Sequence, residues 1–279
     1  MSELPENVAA VVVDYHAGDA LVACVDSLRA NGVSDVVVVV NGEAGSLPAG
    51  LEQQSVTLVN PQLNLGYGRG ANRGAAAAPR STYLLVSNPD VVLHEGAVSS
   101  LSRFLHEHPS VGIAGPRIER TDGTLYPSQR VFPNFWLAGL HALLEPLWPS
   151  NPATRRYRSV RADGTLDWVS GACFLVRRDA FEAVGGFDER YFMFAEDMAL
   201  CWKLRESGFR AAAVSDAVVT HIEGLSRQRS SRAMVVAHHV SAMRFEWQTA
   251  RGVRRVLAPV AVLVLACRLL IVRILQAES

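Results

Sequence analysis

Residues 8–40 read VAAVVVDYHAGDALVACVDSLRANGVSDVVVVV, and the fold class follows from them. Val8–Asp14 and Asp35–Val40 are unbroken apolar runs of strand length. A strand with one wet face alternates apolar and polar residues, whereas an unbroken run implies burial on both faces in a mainly parallel sheet covered by helices. Between the two runs, Asp19–Asn31 sets Leu21, Val25 and Leu28 on one helical face, and Gly32 provides the stop. The unit is strand, helix, strand.

The same alternation continues outward. Val56–Asn60 reads as a short third strand and Gly66–Ala78 as a glycine-led, Ala-rich helix. Tyr83–Ser87 (YLLVS) is a fourth strand, Glu95–His106 a helix and Val111–Gly115 another strand. This predicts an open α/β domain of Rossmann-like type. Residues 116–166 are rich in Pro, Arg and aromatic residues with weak periodicity. Beyond them Trp168–Arg177 reads as a strand, Ala195–Ser207 as a helix, Ala211–Ser215 as a last short strand and Arg232–Thr249 as a helix. Val256–Leu275 is the most hydrophobic stretch. No internal repeat or low-complexity linker divides the chain, so the expected organisation is a catalytic domain over 1–231 and a C-terminal helical, membrane-associating tail over 232–279.

Composition limits the function classes. The chain has 279 residues, 49% of them apolar, enough for a sizeable core. Its 27 Lys and Arg balance 27 Asp and Glu, which argues against a nucleic-acid partner. Cys24, Cys173, Cys201 and Cys267 form no CxxC pair and read as buried small hydrophobes of a reducing compartment. The first residues, MSELPENVAA, carry no secretory signal, so the expected site of the domain is cytosolic.

Three places carry chemistry. Strand YLLVS runs directly into Asn88-Pro89-Asp90. Ligands of open α/β sheets bind beyond the carboxyl ends of the strands, and a carboxylate there is a hard oxygen ligand suited to Mg²⁺ or Mn²⁺. Asn-Pro-Asp is also good turn chemistry without any metal. Glu196 and Asp197 open a helix behind the aromatic loop Tyr191-Phe192-Met193-Phe194. Acids favour helix N-termini in any protein, but an apolar wall beside them raises carboxylate basicity, as a general base requires. His221 gains meaning only if it meets Asp90 in space. The loop Leu65–Gly74 adds glycines at a helix start, suited to close phosphate approach. A dinucleotide fingerprint would instead follow the first strand, where YHAGDALVAC has no glycine cluster, which argues against a dehydrogenase.

In order, the chain carries VVVDYH, VVVNGE, NLGYGRGANRG, NPDVVL, GGFDERYFMFAEDMALCWKL and THIEGLS. With this ordered set it resembles the family-2 glycosyltransferases over roughly residues 8–245. That resemblance implies the GT-A fold, a Rossmann-like mixed sheet flanked by helices, here with a C-terminal helical tail. The stretches DGTLYPSQRVFPN, LEPLWPSNPATRRYR, WVSGACFLVRRDAF and AHHVSAMRF resemble the actinobacterial rhamnosyltransferases in particular. Those transfer L-rhamnose from dTDP-rhamnose to N-acetylglucosaminyl-diphospho-polyprenol in cell-wall linker assembly. The resemblance implies that Asp90 ends the metal-binding DxD turn, with Asn88 in its first position. It further implies that Asp197 is the catalytic base with Glu196 beside it, and that His221 is a second metal ligand. Tyr15, Asn41, Gly66 and Asn72 would lie on the nucleotide-binding loops with Asn88 and Asp90. Trp168, Gly171 and Glu196 would face the acceptor sugar. Two positions depart from the family: Val40 followed by Asn41 stands where an Asp normally contacts the base, and Asn88 replaces an acid.

The implied chemistry is a single displacement with inversion, assisted by Mg²⁺ or Mn²⁺, on a nucleotide-sugar donor and a polyprenyl-diphosphate-linked acceptor. One base without a paired nucleophilic carboxylate separates it from hydrolysis. A UDP-hexose donor, a polysaccharide acceptor, or a non-catalytic sugar-nucleotide-binding role remain open alternatives. In Val256–Leu275 a spanning helix would hold Arg268 in the bilayer, and Arg273 ends near the stretch. An interfacial helix, with arginines reaching the headgroups at the cytoplasmic face of the plasma membrane, is the expected form. A buried or homo-oligomer-forming helix is the alternative.

Overall fold

The computed structural model describes residues 7–42, 47–51, 54–78, 81–126, 128–132, 144, 148–157, 165–222 and 231–275. The side chains of Cys267, Arg268 and Arg273 lie outside that set.

A nine-stranded sheet forms the centre, in the order β3 (Thr57–Val59), β2 (Asp35–Val40), β1 (Val8–Asp14), β4 (Tyr83–Ser87), β10 (Cys173–Arg177), β6 (Val111–Arg120), β11 (Arg210–His221), β5 (Val91–Leu93), with β8 (Thr165–Leu166) added on β11. Strands β1 (Val8–Asp14), β2 (Asp35–Val40), β3 (Thr57–Val59) and β4 (Tyr83–Ser87) are mutually parallel. Helix α1 (Asp19–Ala30) joins β1 to β2, and α2 (Tyr67–Ala77) joins β3 to β4. Every residue of β1 and β4 is buried, as an uninterrupted apolar run requires. Alternate residues feed two cores. Ala10 and Val12 meet α1 and α3 (Ala97–Glu107), while Ala9, Val11 and Val13 meet the opposite layer. That layer comprises α2, α5 (Arg178–Ala183) and α6 (Glu196–Glu206). Helix α2 lies close on β1 because Gly74 has no Cβ; one there would collide with Val11.

The sheet is less parallel than the apolar runs imply. Strand β10 (Cys173–Arg177) inserts antiparallel between β4 and β6 (Val111–Arg120). Strand β5 (Val91–Leu93) pairs antiparallel with β11 (Arg210–His221). An apolar run encodes burial and carries no direction, so the reversal is not legible in it. The run Trp168–Arg177 is also not one strand. It divides into β9 (Trp168–Val169), which pairs with β7 (Gln129–Arg130) in a separate ribbon, and β10. The expected strand Ala211–Ser215 is the first half of β11. A register shift between Val214 and Val218 interrupts it, and pairing with β6 then resumes through His221. Strand β8 (Thr165–Leu166) pairs with β11, and α4 (Pro152–Tyr157) is a short helix.

Helices α7 (Ser231–Thr249) and α8 (Val253–Leu275) follow the sheet. Helix α7 packs Phe245 into a cluster with Tyr191, Ala195 and Ala199, and Ser241 donates to the Met193 carbonyl at 2.8 Å. Cys24, Cys173 and Cys201 are free and buried, as expected. Among the described residues no helix is long and apolar enough to cross a membrane.

Candidate active site

The carboxyl ends of β1, β2 and β4 and the start of α6 surround a cavity of about 360 Å³. Asp90, Asp197 and His221 all line it. The meeting of Asp90 with His221 is a product of sheet register. His221 pairs with Val91 across β11 and β5, and the Ile222 N–H donates to the Asp90 carbonyl at 2.9 Å. The side chains consequently face one another, with His221 Nε2 3.1 Å from Asp90 Oδ1 and 3.5 Å from Asn88 Nδ2. Both Asp90 and His221 are buried, and His221 Nδ1 has no partner. Tyr126 packs edge-on against the His221 ring.

A carboxylate and an imidazole within reach of each other, with the Asn88 amide beside them, suit a divalent cation. Among the described residues no cluster of three or more His, Cys, Asp or Glu could hold a metal. Asp90 and His221 therefore fit an ion that keeps water and substrate phosphate oxygens in its shell, the usual habit of Mg²⁺, and not an all-protein cage.

The opposite wall carries the acids. Phe194 and Ala195 both adopt positive φ, 65° and 62°, immediately before α6. Non-glycine residues held in this region cost about 1 kcal/mol or more each and cluster at functional sites. The turn they make sets Glu196 and Asp197 in the first turn of α6, where free backbone N–H groups favour negative charge. Asp197 Oδ2 accepts from the Gly171 N–H at 2.8 Å and Oδ1 from the Met198 N–H at 2.8 Å. Tyr67 donates its hydroxyl to the Gly171 carbonyl at 2.5 Å, so Gly171 is held from both sides. Glu196 is buried and its Oε2 has no partner.

Burial, then repulsion from Asp197, pushes Glu196 up to about 8. Burial also raises Asp197, against the hydrogen bonds from Gly171 and Met198 and the charge of Arg130. Near neutrality the pair therefore keeps a proton. Glu196, with an unpartnered oxygen, is the natural holder, which leaves Asp197 as the carboxylate.

The remaining expected residues divide. Tyr15, Gly66, Asn88, Trp168 and Gly171 line the cavity, and Tyr15 is 40% exposed, open to stack on a planar ring. Asn41 also lines it, but its amide is engaged with the glycine loop. Its Oδ1 accepts from Leu65 N–H at 2.9 Å and its Nδ2 donates to the Gly66 carbonyl at 3.2 Å. It shapes the loop and cannot easily read a base edge in place of the missing Asp. Gly66 takes φ 82°, ψ 167°, and a Cβ there would collide with the Phe192 carbonyl, so the glycine loop rests directly on the aromatic loop. Asn72 is not brought to the cavity. Its side chain clasps the turn below α2, bonding both the N–H and the carbonyl of Phe187.

The cavity also contains residues that the sequence did not single out. Arg130 lies over the Trp168 ring at 5.3 Å and acts on Asp197. Tyr67, Tyr126, Met234 and His238 complete the walls. Arg130 and Tyr126 fall in the stretch DGTLYPSQRVFPN, whose lack of periodicity hid them.

Comparison with known proteins gives consistent matches. A family model described as "Glycosyltransferase like family 2" matches residues 5–239. An N-acetylglucosaminyl-diphospho-decaprenol L-rhamnosyltransferase of Mycobacterium tuberculosis is 37% identical over 252 residues, covering 84% of this chain and 82% of that protein. A mannosyltransferase of Pyrobaculum calidifontis, solved with GDP-Man and Mn²⁺, superimposes with a TM-score of 0.60 at 15% identity, covering 94% of this chain and 73% of that one. GalNAc-T7, solved with UDP, GalNAc and Mn²⁺, gives 0.61 at 14% identity, covering 88% of this chain and 48% of that one. At these identities the two solved structures establish the shared fold alone.

Proposed function

Because the chain belongs to the family-2 glycosyltransferases, inverting enzymes of nucleotide-sugar donors, we propose that it transfers L-rhamnose from dTDP-rhamnose to a polyprenyl-diphosphate-linked N-acetylglucosamine at the cytoplasmic face of the plasma membrane. The observation that carries the mechanism is the sharing of one cavity by the Asp90–His221 pair, 3.1 Å apart, and by Glu196 and Asp197. The named donor and acceptor draw support from the mycobacterial relative, similar over most of both chains.

Asp90 and His221, with Asn88 beside them, would hold a Mg²⁺ or Mn²⁺ ion. Bound there, the ion supplies Lewis-acid stabilisation for the charge that develops on the departing diphosphate. The chain's own residues do the rest. Gly66 brings the start of α2 close to the phosphates, and Tyr15 offers a face to the base. Trp168, buried beneath Arg130, backs the acceptor side of the cavity and holds that guanidinium in place, and Gly171 lies beside it. Asp197, ionised and aligned by two N–H groups, takes the acceptor hydroxyl proton as that oxygen attacks the anomeric carbon. Glu196, neutral, donates a hydrogen bond to the acceptor and keeps a second charge out of the site. With no second ionised carboxylate placed as nucleophile among the described residues, attack is direct and inverts configuration. In this reading the expected boundary at residue 231 moves: α7 lends Met234 and His238 to the cavity wall and belongs with the transferase domain, while α8 attaches it to the membrane.

The test is transfer from dTDP-rhamnose to N-acetylglucosaminyl-diphospho-polyprenol with Mg²⁺ or Mn²⁺, beside a panel including UDP-hexoses. Rhamnosyl product with metal dependence is expected. Preferential turnover of a UDP-hexose would replace the donor assignment, and binding without turnover of any donor would overturn the catalytic one.

A further inference from the structure

Away from the reaction cavity, the end of α7 and the start of α8 enclose a second cavity of about 660 Å³. Arg190, Arg244, Arg251 and Arg255 line it with Trp247 and Val240, and among the described residues its wall holds no acidic side chain. Two of the charges are already answered: Arg190 pairs with Asp188 at 2.6 Å and Arg251 with Glu206 at 3.2 Å. Arg244 and Arg255 are not. They rest on the rings of Tyr191 and Trp247, at 5.6 and 4.8 Å, and neither has a carboxylate partner among the described residues. Ring stacking holds each guanidinium plane in place; Arg255 also donates one N–H to the Trp247 carbonyl at 2.8 Å, and the remaining N–H groups are left for an oxyanion, the geometry in which arginine binds phosphate.

The surroundings indicate where that phosphate comes from. Helix α8 exposes Val253, Val256, Val260 and Leu263, between 53% and 77% accessible. Their spacing of three, four and three residues makes a single stripe along the helix. Trp247, half exposed, adds an amphipathic ring at the cavity edge, as side chains at a bilayer interface do. A two-fold contact centred on this cavity would bring two walls of arginine together with no carboxylate between them among the described residues, which disfavours a second copy as the occupant.

We infer that this cavity receives the phosphate headgroup of an anionic phospholipid while the α8 stripe enters the bilayer interface. The inference rests on the reading that the enzyme works at a membrane, and it adds a defined headgroup site to that reading. Its chemistry is complementary: phosphodiester to two uncompensated guanidiniums, acyl chains to the Val and Leu stripe.

The test is co-sedimentation of the full chain with vesicles of phosphatidylcholine alone or mixed with phosphatidylglycerol, without sugar donor. Failure here leaves the transferase reading standing, and failure of transfer leaves this result untouched. The wild type is expected to favour the anionic vesicles. The double variant Arg244→Gln/Arg255→Gln is expected to bind them about 30-fold more weakly, with its weaker binding to neutral vesicles unchanged. Val256→Ser/Val260→Ser is expected to weaken both. Arg255→Gln alone, which leaves Tyr191 covered, is expected to lose about five-fold. Equal partitioning of wild type and double variant, or of the wild type between the two vesicle types, overturns the inference. So does saturable binding of inorganic phosphate without preference for anionic vesicles, or a stable dimer that buries the stripe and excludes vesicles.

Discussion

Replacing Glu196 by Gln reads the state of the buried acid pair without relying on catalysis. Burial and the neighbouring Asp197 push the native carboxyl up to about 8 from an ordinary value of 4.5. Between those values the folded protein binds more protons than the unfolded chain, so wild-type stability falls as pH rises through the window. Below it both states hold the proton and nothing is lost; above it the full cost of a second buried charge is present. The slope is at most about 1.4 kcal/mol per pH unit and halves near the midpoint, giving about 2 kcal/mol between about pH 6 and about pH 8. Gln keeps the shape and cannot ionise. Urea unfolding of both proteins across this range should show the variant gaining on the wild type steadily towards alkaline pH. In kcat/KM the wild type should show an inflection near pH 8 that the variant lacks. A stability difference that stays flat across the window, or narrows with rising pH, refutes the protonated pair.

Other outcomes follow from the same geometry. Asp197→Asn should lower kcat/KM by about a hundred- to ten-thousand-fold, with donor affinity by calorimetry within about two-fold of wild type; lost nucleotide binding would count against the role of base. Asp90→Ala should abolish the part of donor binding that depends on Mn²⁺, and His221→Ala should weaken it. Donor titrations with and without chelator decide this, and an unchanged metal dependence would defeat the assignment. Gly66→Ala places a side chain in a backbone region almost reserved for glycine and against the Phe192 carbonyl. It should cost about 2 kcal/mol or more in stability and weaken the donor complex. Wild-type melting and donor affinity in that variant would show that the two loops are not packed as described.

The parts of the fold that could be read in the sequence are those whose local pattern and final burial agree. Strands β1, β2 and β4 lie where their apolar runs predict, because a fully buried strand has no other composition. Strand β11 was readable only as far as Ser215, because exposed Ser215 and Asp216 sit in its register irregularity and break the apolar pattern. The run Trp168–Arg177 conceals its break for the opposite reason. Ser170-Gly171-Ala172 is as small and neutral as strand sequence can be, yet Gly171 leaves the ladder to bond Asp197 and Tyr67. At the site, residue type flagged Asp90, Asp197 and His221, but their meeting depends on pairing between strands more than a hundred residues apart. Asn72 bonds Phe187 and does not line the cavity, because loop membership does not specify which way a helical side chain points.

The division between chemistry and attachment follows from α7. Met234 and His238 on this helix face the reaction cavity, while Val240, Arg244 and Trp247 face the basic one. His238 and Trp247 are about 14 Å apart along the axis. Phe245 lies between, 3% exposed, against Tyr191, Ala195 and Ala199, directly beneath the turn that presents Glu196. Removing residues 251–279 deletes the apolar stripe and part of the basic cavity but leaves Phe245 and the Ser241–Met193 bond in place. A chain ending at residue 250 should therefore bind donor with wild-type affinity and leave the vesicles. A chain ending at residue 231 loses Phe245 as well, a core deletion of the kind that costs about 3–5 kcal/mol, and should bind donor poorly because the Phe194–Ala195 turn is no longer supported. Donor calorimetry and vesicle sedimentation on both truncations separate the effects. If the shorter chain binds donor as well as the longer one, α7 is only a tether; if the longer one still sediments with vesicles, attachment does not reside in α8.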